Sequence, residues 1–253
     1  MDTRQLFENE LRRRDIKFDV DAASGRHALS VDGWQLLVSL ENLDRSLARD
    51  GDMDAVARFV DTVLETGSRT GAGLSASNLY WAIEPNDHEE PAQYRVALSD
   101  RVDRVLVHKS TDDRAILWID QNMLYKLGMT LADAERRAFE NLEQALQEAT
   151  VEWSEIDGVR LAHLTSTLPF KASLLLAPNL RDVVEEAIGW PLLAVAPARD
   201  FLFFWSSEHA DLLGRVGRVT VDEFKRSAYP ISTEVFEISD SGCRAIGEFP
   251  TET

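Results

Sequence analysis

Three side chains stand where a stiff scaffold would hold them for chemistry. Asp120 ends the apolar run Ile116-Leu117-Trp118-Ile119, and Arg199-Asp200 occupy the short connection between the apolar runs at 192–196 and 201–205. Strand ends and the loops beside them often carry binding and catalytic groups, because the strands fix the backbone that presents them. A guanidinium with two carboxylates would suit a hydrolase or transferase. The same residues also read as ordinary turn chemistry. No second acid at a definable separation turns them into a paired-carboxylate site of the glycosidase kind.

Other motifs lack the surroundings their chemistry needs. Gly71-Ala72-Gly73-Leu74-Ser75-Ala76 has the spacing of a dinucleotide fingerprint. That fingerprint needs a strand before the glycines and a helix after them, and here a predicted helix precedes them. No phosphate-binding Gly-Lys-Ser/Thr loop, His-Glu-x-x-His pair or Gly-x-Ser-x-Gly elbow is present. The five histidines are scattered, and His108 and His163 fall in predicted strands as packed or hydrogen-bonded groups. Asp87-His88-Glu89-Glu90 reads as a solvated charge run. The single cysteine, Cys243, has no base or cationic run to activate it beyond Arg244, so it reads as a half-buried structural thiol. No cofactor and no metal is expected.

The bulk composition narrows the partners. Asp plus Glu total 44 against 27 Lys plus Arg, a net charge of −17 over 253 residues. Binding to duplex nucleic acid needs a concentrated basic surface, which argues against it here. The acidity fits solubility or a basic protein partner. Arg12-Arg13-Arg14, the densest basic cluster, reads as a helix C-terminus complementing the dipole. The first residues lack the basic-then-apolar order of a signal peptide, and the longest apolar runs fall well short of the ~20 residues that span a bilayer, so a cytoplasmic location without membrane insertion is expected.

Hairpin signals dominate the elements that must position these residues. Asp32-Gly33 separates runs at 27–31 and 34–38, and Asp157-Gly158 separates runs at 151–156 and 159–164. Both dipeptides suit the left-handed turn of a two-residue hairpin. Further hairpins are expected at 105–108 with 116–119, 192–196 with 201–205, and 235–239 with 243–247. Helices are expected at 3–14, at 52–65 with Gly67 ending it, and at 131–149 with Thr130 as N-cap. Another spans 170–188 with a break at Pro178 and a restart capped by Asn179, and Thr220-Val221-Asp222-Glu223 reads as a capping box opening a short helix. The stretch 79–83 suits strand or helix equally. Strands joined by two to four residues must be antiparallel, so the fold class is α+β with mainly antiparallel sheets built from hairpins. A boundary near residue 125 would divide the chain into N-terminal (1–125) and C-terminal (126–253) α+β units of similar element order.

Several segments, in order, carry a family resemblance: Val38-Ser39-Leu40-Glu41-Asn42-Leu43, Phe59-Val60, Trp118-Ile119-Asp120, Ala138-Phe139-Glu140-Asn141-Leu142, Val195-Ala196-Pro197-Ala198-Arg199-Asp200 and Tyr229-Pro230-Ile231-Ser232. Through them the chain resembles the YtpQ-like bacterial proteins, a family of unknown function. The resemblance implies a cytoplasmic bacterial protein and directs attention to Asp120, Asn141, Arg199 and Asp200. The expected function is a non-enzymatic protein-interaction or accessory module with an acidic surface. The alternative is a hydrolase or transferase with a site around Asp120, Arg199 and Asp200.

Overall fold

The computed structural model describes residues 2–20, 26–31, 34–52, 54–70, 73–88, 92–110 and 116–251. The chain separates into two compact units: residues 1–74 with 110–116, and residues 75–109 with 117–253. The strand that opens the second unit packs against a helix that begins at residue 131.

The first unit begins with α1 (Thr3–Arg13), whose buried face is Phe7 and Leu11. Its last-turn arginines complement the helix C-terminus as expected, and they also pair with Glu8 and Glu10 one turn back. Strands β1 (Phe18–Val20), β2 (His27–Val31) and β3 (Trp34–Val38) form an antiparallel sheet in which His27 faces Val38 and Val31 faces Trp34. The Asp32-Gly33 turn lies outside the described residues. Helix α2 (Glu41–Asp50), absent from the sequence expectation, ends on Gly51 at φ +62. Helix α3 (Asp54–Thr70) then covers the sheet.

Gly67 does not end α3. It lies inside the helix, where an added Cβ would stand 2.5 Å from the Cβ of Val31 and 2.9 Å from Cδ1 of Leu36. The glycine is there to let helix and sheet approach. Phe7, Leu29, Leu43 and Val60 close the core of this unit.

In the second unit the ambiguous stretch is a strand, β4 (Leu79–Pro85). With β5 (Arg95–Ala97), β6 (Val102–Lys109) and β7 (Ile116–Trp118) it makes an antiparallel sheet centred on β6. The expected turn at 111–114 lies outside the described residues. After α4 (Gln121–Leu127) comes α5 (Leu131–Gln147), with Thr130 Oγ1 accepting from the N–H of Asp133 as its cap. Ala134, Ala138, Leu142 and Leu146 form its fully buried stripe.

The remaining strands build a six-stranded antiparallel sheet: β8 (Thr150–Ile156), β9 (Val159–Thr165), β10 (Leu192–Ala198), β11 (Phe201–Ser206), β12 (Glu234–Ser239) and β13 (Gly242–Glu248), in spatial order 13-12-10-11-9-8. The turn between β8 and β9 has both residues left-handed, Asp157 at φ +50 and Gly158 at φ +82, as the dipeptide requires. Helices α6 (Leu180–Ile188) and α7 (Leu213–Arg226) complete the unit. The fold class is therefore α+β with antiparallel sheets. No helix among the described residues is long and apolar enough to cross a membrane.

Two local expectations fail for reasons of packing. Thr220 does not open a helix. It is buried in the middle of α7, and its hydroxyl donates to the carbonyl of Val216 at 2.9 Å. The local capping pattern is overridden by an apolar face that begins earlier, with Val216 against the six-stranded sheet. Asn179 precedes α6 without a side-chain cap: its amide nitrogen donates to the carbonyl of Glu143 at 3.2 Å, and its Oδ1 is buried without a hydrogen-bond partner.

Candidate functional site

The sharpest concentration of buried charge lies in the second unit, where β4 and the connection after β10 meet. Register places Glu84 of β4 directly opposite Asp103 of β6, so two carboxylates share one face of the sheet. Both are buried, Glu84 with 1% of its side chain exposed. Carboxylates cannot remain charged in such a place without cations. Arg95 reaches Asp103 at 2.8 Å. Arg199 reaches Glu84 through Nη2 at 2.7 Å and Nε at 3.3 Å, both on Oε2. The second oxygen, Oε1, is buried without a hydrogen-bond partner.

Arg199 is itself fixed on every side. Its guanidinium stacks 4.9 Å from the centre of the Tyr229 ring. Its backbone N–H donates to the carbonyl of Tyr229, and its carbonyl accepts from Ala172. A third buried acid, Glu234, opens β12 and takes hydrogen bonds from hydroxyls: Ser99 and Ser232 donate to its Oε2 at 2.7 and 3.0 Å. The arrangement is a polar junction between two sheets, in which Glu84 and Asp103 are paired with arginines and Glu234 is held by hydroxyls.

The four sequence candidates fall into separate roles. The carboxylate of Asp120 accepts from the N–H of Met123 at 2.7 Å and caps α4. The amide of Asn141, on α5, donates to the carbonyls of Ala76 and Leu79 at 3.0 and 2.7 Å, tying the helix to the start of β4. Arg199 belongs to the junction just described, and its neighbour Asp200 is exposed in the turn. Glu84, the partner that gives Arg199 its role, escaped the sequence reading. Its signal was a lone carboxylate continuing the apolar run Leu79-Tyr80-Trp81-Ala82-Ile83.

His108 and Cys243 sit in packed surroundings. His108 is buried in β6, and its Nε2 accepts from the N–H of Ser75 at 3.1 Å. Burial, helped by the Lys109 charge, pushes its pKa down to about 4, so the ring is neutral near pH 7. His163 pairs with Glu152 at 3.1 Å. Burial and the nearby Glu234 push the Cys243 thiol up to about 12, which leaves no thiolate to act as a nucleophile at neutral pH. Among the described residues no three His, Cys, Asp or Glu side chains stand together as a metal would need.

A separate polar cleft of about 220 Å³ opens beside Asn141. Tyr80 and Lys109 line it from the sheet, Gln144 and Glu148 from the end of α5, and Ser166 and Thr167 from the segment after β9. Comparison with protein-family models, with curated proteins and with solved structures returns no match to this chain.

Proposed function

We propose that this chain is a non-enzymatic protein-interaction module, of YtpQ-like type, whose acidic surface meets a basic partner. The observation that carries this reading is the engagement of the groups suited to chemistry. Asp120 caps a helix, Asn141 clamps two carbonyls and Arg199 neutralises a buried glutamate. A hydrolase or transferase built on Asp120 and Arg199 would have to withdraw both from these contacts. Leaving Glu84 buried and unpaired is costly.

The excess negative charge is carried on the outside. Glu148, Glu152, Glu155 and Asp157 are exposed from the end of α5 through the β8–β9 hairpin, and Asp182, Glu185 and Glu186 are exposed on α6. Such a surface attracts a basic protein over distances set by the ionic strength. Affinity capture from native lysate with the full chain tests the reading. It should return one stoichiometric partner, basic in composition; recovery of none across several salt concentrations would overturn it.

A further inference from the structure

The six-stranded sheet has two outer strands, and their sequences treat the open edge differently. Strand β13 carries Gly242 and Gly247, and its register with β12 shifts between Val235 and Phe236. Glycines and a bulge discourage the addition of a further strand. The other outer strand, β8, has neither. It pairs with β9 without a break from Thr150–Thr165 to Ile156–Val159, and it contains no proline, glycine or lysine. Among the described residues no second strand pairs with it.

The turn decides which groups this edge offers. A two-residue turn at Asp157-Gly158 makes Ile156 and Val159 a hydrogen-bonded pair, and the antiparallel ladder alternates from there. Thr150, Glu152, Ser154 and Ile156 therefore bond to β9, while the N–H and C=O groups of Val151, Trp153 and Glu155 point outward. Trp153 is 48% exposed, with the Arg160 guanidinium 5.2 Å from its ring centre. That stacking and a hydrogen bond to the carbonyl of Ala187 engage the arginine that register places opposite Glu155. Glu155 is exposed, and Glu152 stays 53% exposed although it pairs with His163. Alternation puts these two carboxylates on opposite faces of the strand. The edge thus combines outward main-chain groups, an aromatic surface and a negative charge on each side.

We infer that β8 accepts an extended, basic segment of a partner protein as an added antiparallel strand of this sheet. The inference rests on the acidic-surface reading above and names where on that surface the partner docks and in what form. Main-chain bonds to residues 151, 153 and 155 supply the pairing, and alternate side chains supply the selectivity. The incoming strand is cationic opposite Glu152 and Glu155 and apolar opposite Trp153. A second copy of this chain fits worse, because its own β8 brings the same negative charge to the edge.

Hydrogen exchange on the full chain, followed residue by residue by NMR, tests this with the end-capped peptide Val-Lys-Thr-Ile-Lys-Val-Thr. Paired antiparallel from Ile156 to Thr150, the peptide sets lysines opposite Glu155 and Glu152 and isoleucine opposite Trp153. At saturation it should slow exchange at the amides of Val151, Trp153 and Glu155 by about tenfold or more, with little change at Glu152 and Ser154. The same peptide with glutamates for both lysines should not bind. Glu152→Gln/Glu155→Gln, at two exposed positions, should weaken the lysine peptide about threefold or more at low salt. The inference is overturned by no binding, by binding that leaves the three outward amides exchanging as before, or by equal binding of the glutamate peptide. The acidic-surface reading fails separately, through recovery of no basic partner in the capture experiment.

Discussion

At the scale of single residues, the pairing of Arg199 with Glu84 is the contact whose removal should be felt most. Desolvating a carboxylate to 1% exposure makes the ion pair a weak source of net stability, yet a strong liability once broken. Arg199→Met should therefore destabilise the protein by about 3–5 kcal/mol, read as a lowered urea midpoint. The double variant Arg199→Met/Glu84→Leu should recover most of that loss, because an apolar pair of similar volume no longer buries a lone charge. A double variant as unstable as the single one would show that Arg199 matters through the Tyr229 ring and its backbone contacts instead. The arginine itself was legible in the sequence as an unusual turn residue. Its partner lies 115 positions earlier in the chain, and nothing local in the sequence links residues so far apart.

At the scale of elements, two predictions follow from how helices and strands meet. Gly67→Ala in α3 sets two effects against each other. Alanine is the better helix former by about 1 kcal/mol. Its methyl would nevertheless enter space occupied by Val31, 2.5 Å away between Cβ positions, and forced overpacking costs typically about 1–3 kcal/mol. Steric conflict should win, and thermal unfolding should shift down. An upward shift would mean that α3 slides off the sheet without cost.

The second concerns His108, whose neutral ring receives the Ser75 N–H where β6 meets the turn before β4. In the folded protein it resists protonation until about pH 4, whereas the unfolded chain takes up its proton near pH 6.5. As pH falls between those values, the unfolded state gains a proton that the folded state refuses, so stability drops across that window and then levels. The difference corresponds to roughly 3 kcal/mol. Urea midpoints measured from pH 7 to pH 4 should fall in the wild type and fall less in His108→Gln. Equal slopes would remove His108 from the explanation. Glu8 and Glu10 act in a lower window. Hydrogen bonds from Arg4 and from Arg13, respectively, lead the causes that hold each near 2 against an ordinary 4.5, so their contribution is present above 4.5 and is lost toward pH 2.

Elements were legible wherever local chemistry and tertiary packing agreed. Asp157-Gly158 and the capped α5 are such cases, since turn conformation, cap and apolar stripe all favour the same structure. Disagreement marks the failures. Thr220 has the residues of a cap but sits on a buried helical stripe, and Gly67 has the residue type of a helix end but serves a close approach. In both, packing against a sheet distant in sequence overrode the local signal.

At the scale of the whole molecule, the charge of −17 was visible from composition alone, while its distribution needed the fold. Acids with structural work, Glu84, Asp103 and Glu234, are buried against arginines or hydroxyls. Some exposed acids are paired at the surface, Asp157 with Arg215 and Glu185 with Arg181, and the net excess of negative charge remains. The central claim is that this surface, and not the residues placed at strand ends, carries the function. Salt titration of the captured complex measures it most directly, with the full chain immobilised and the bound partner quantified as ionic strength rises. The account predicts one basic partner at equal stoichiometry, released progressively as screening shortens the reach of the surface charge to about 3 Å near 1 M salt. A partner retained unchanged at that salt, or none captured at low salt, would contradict it.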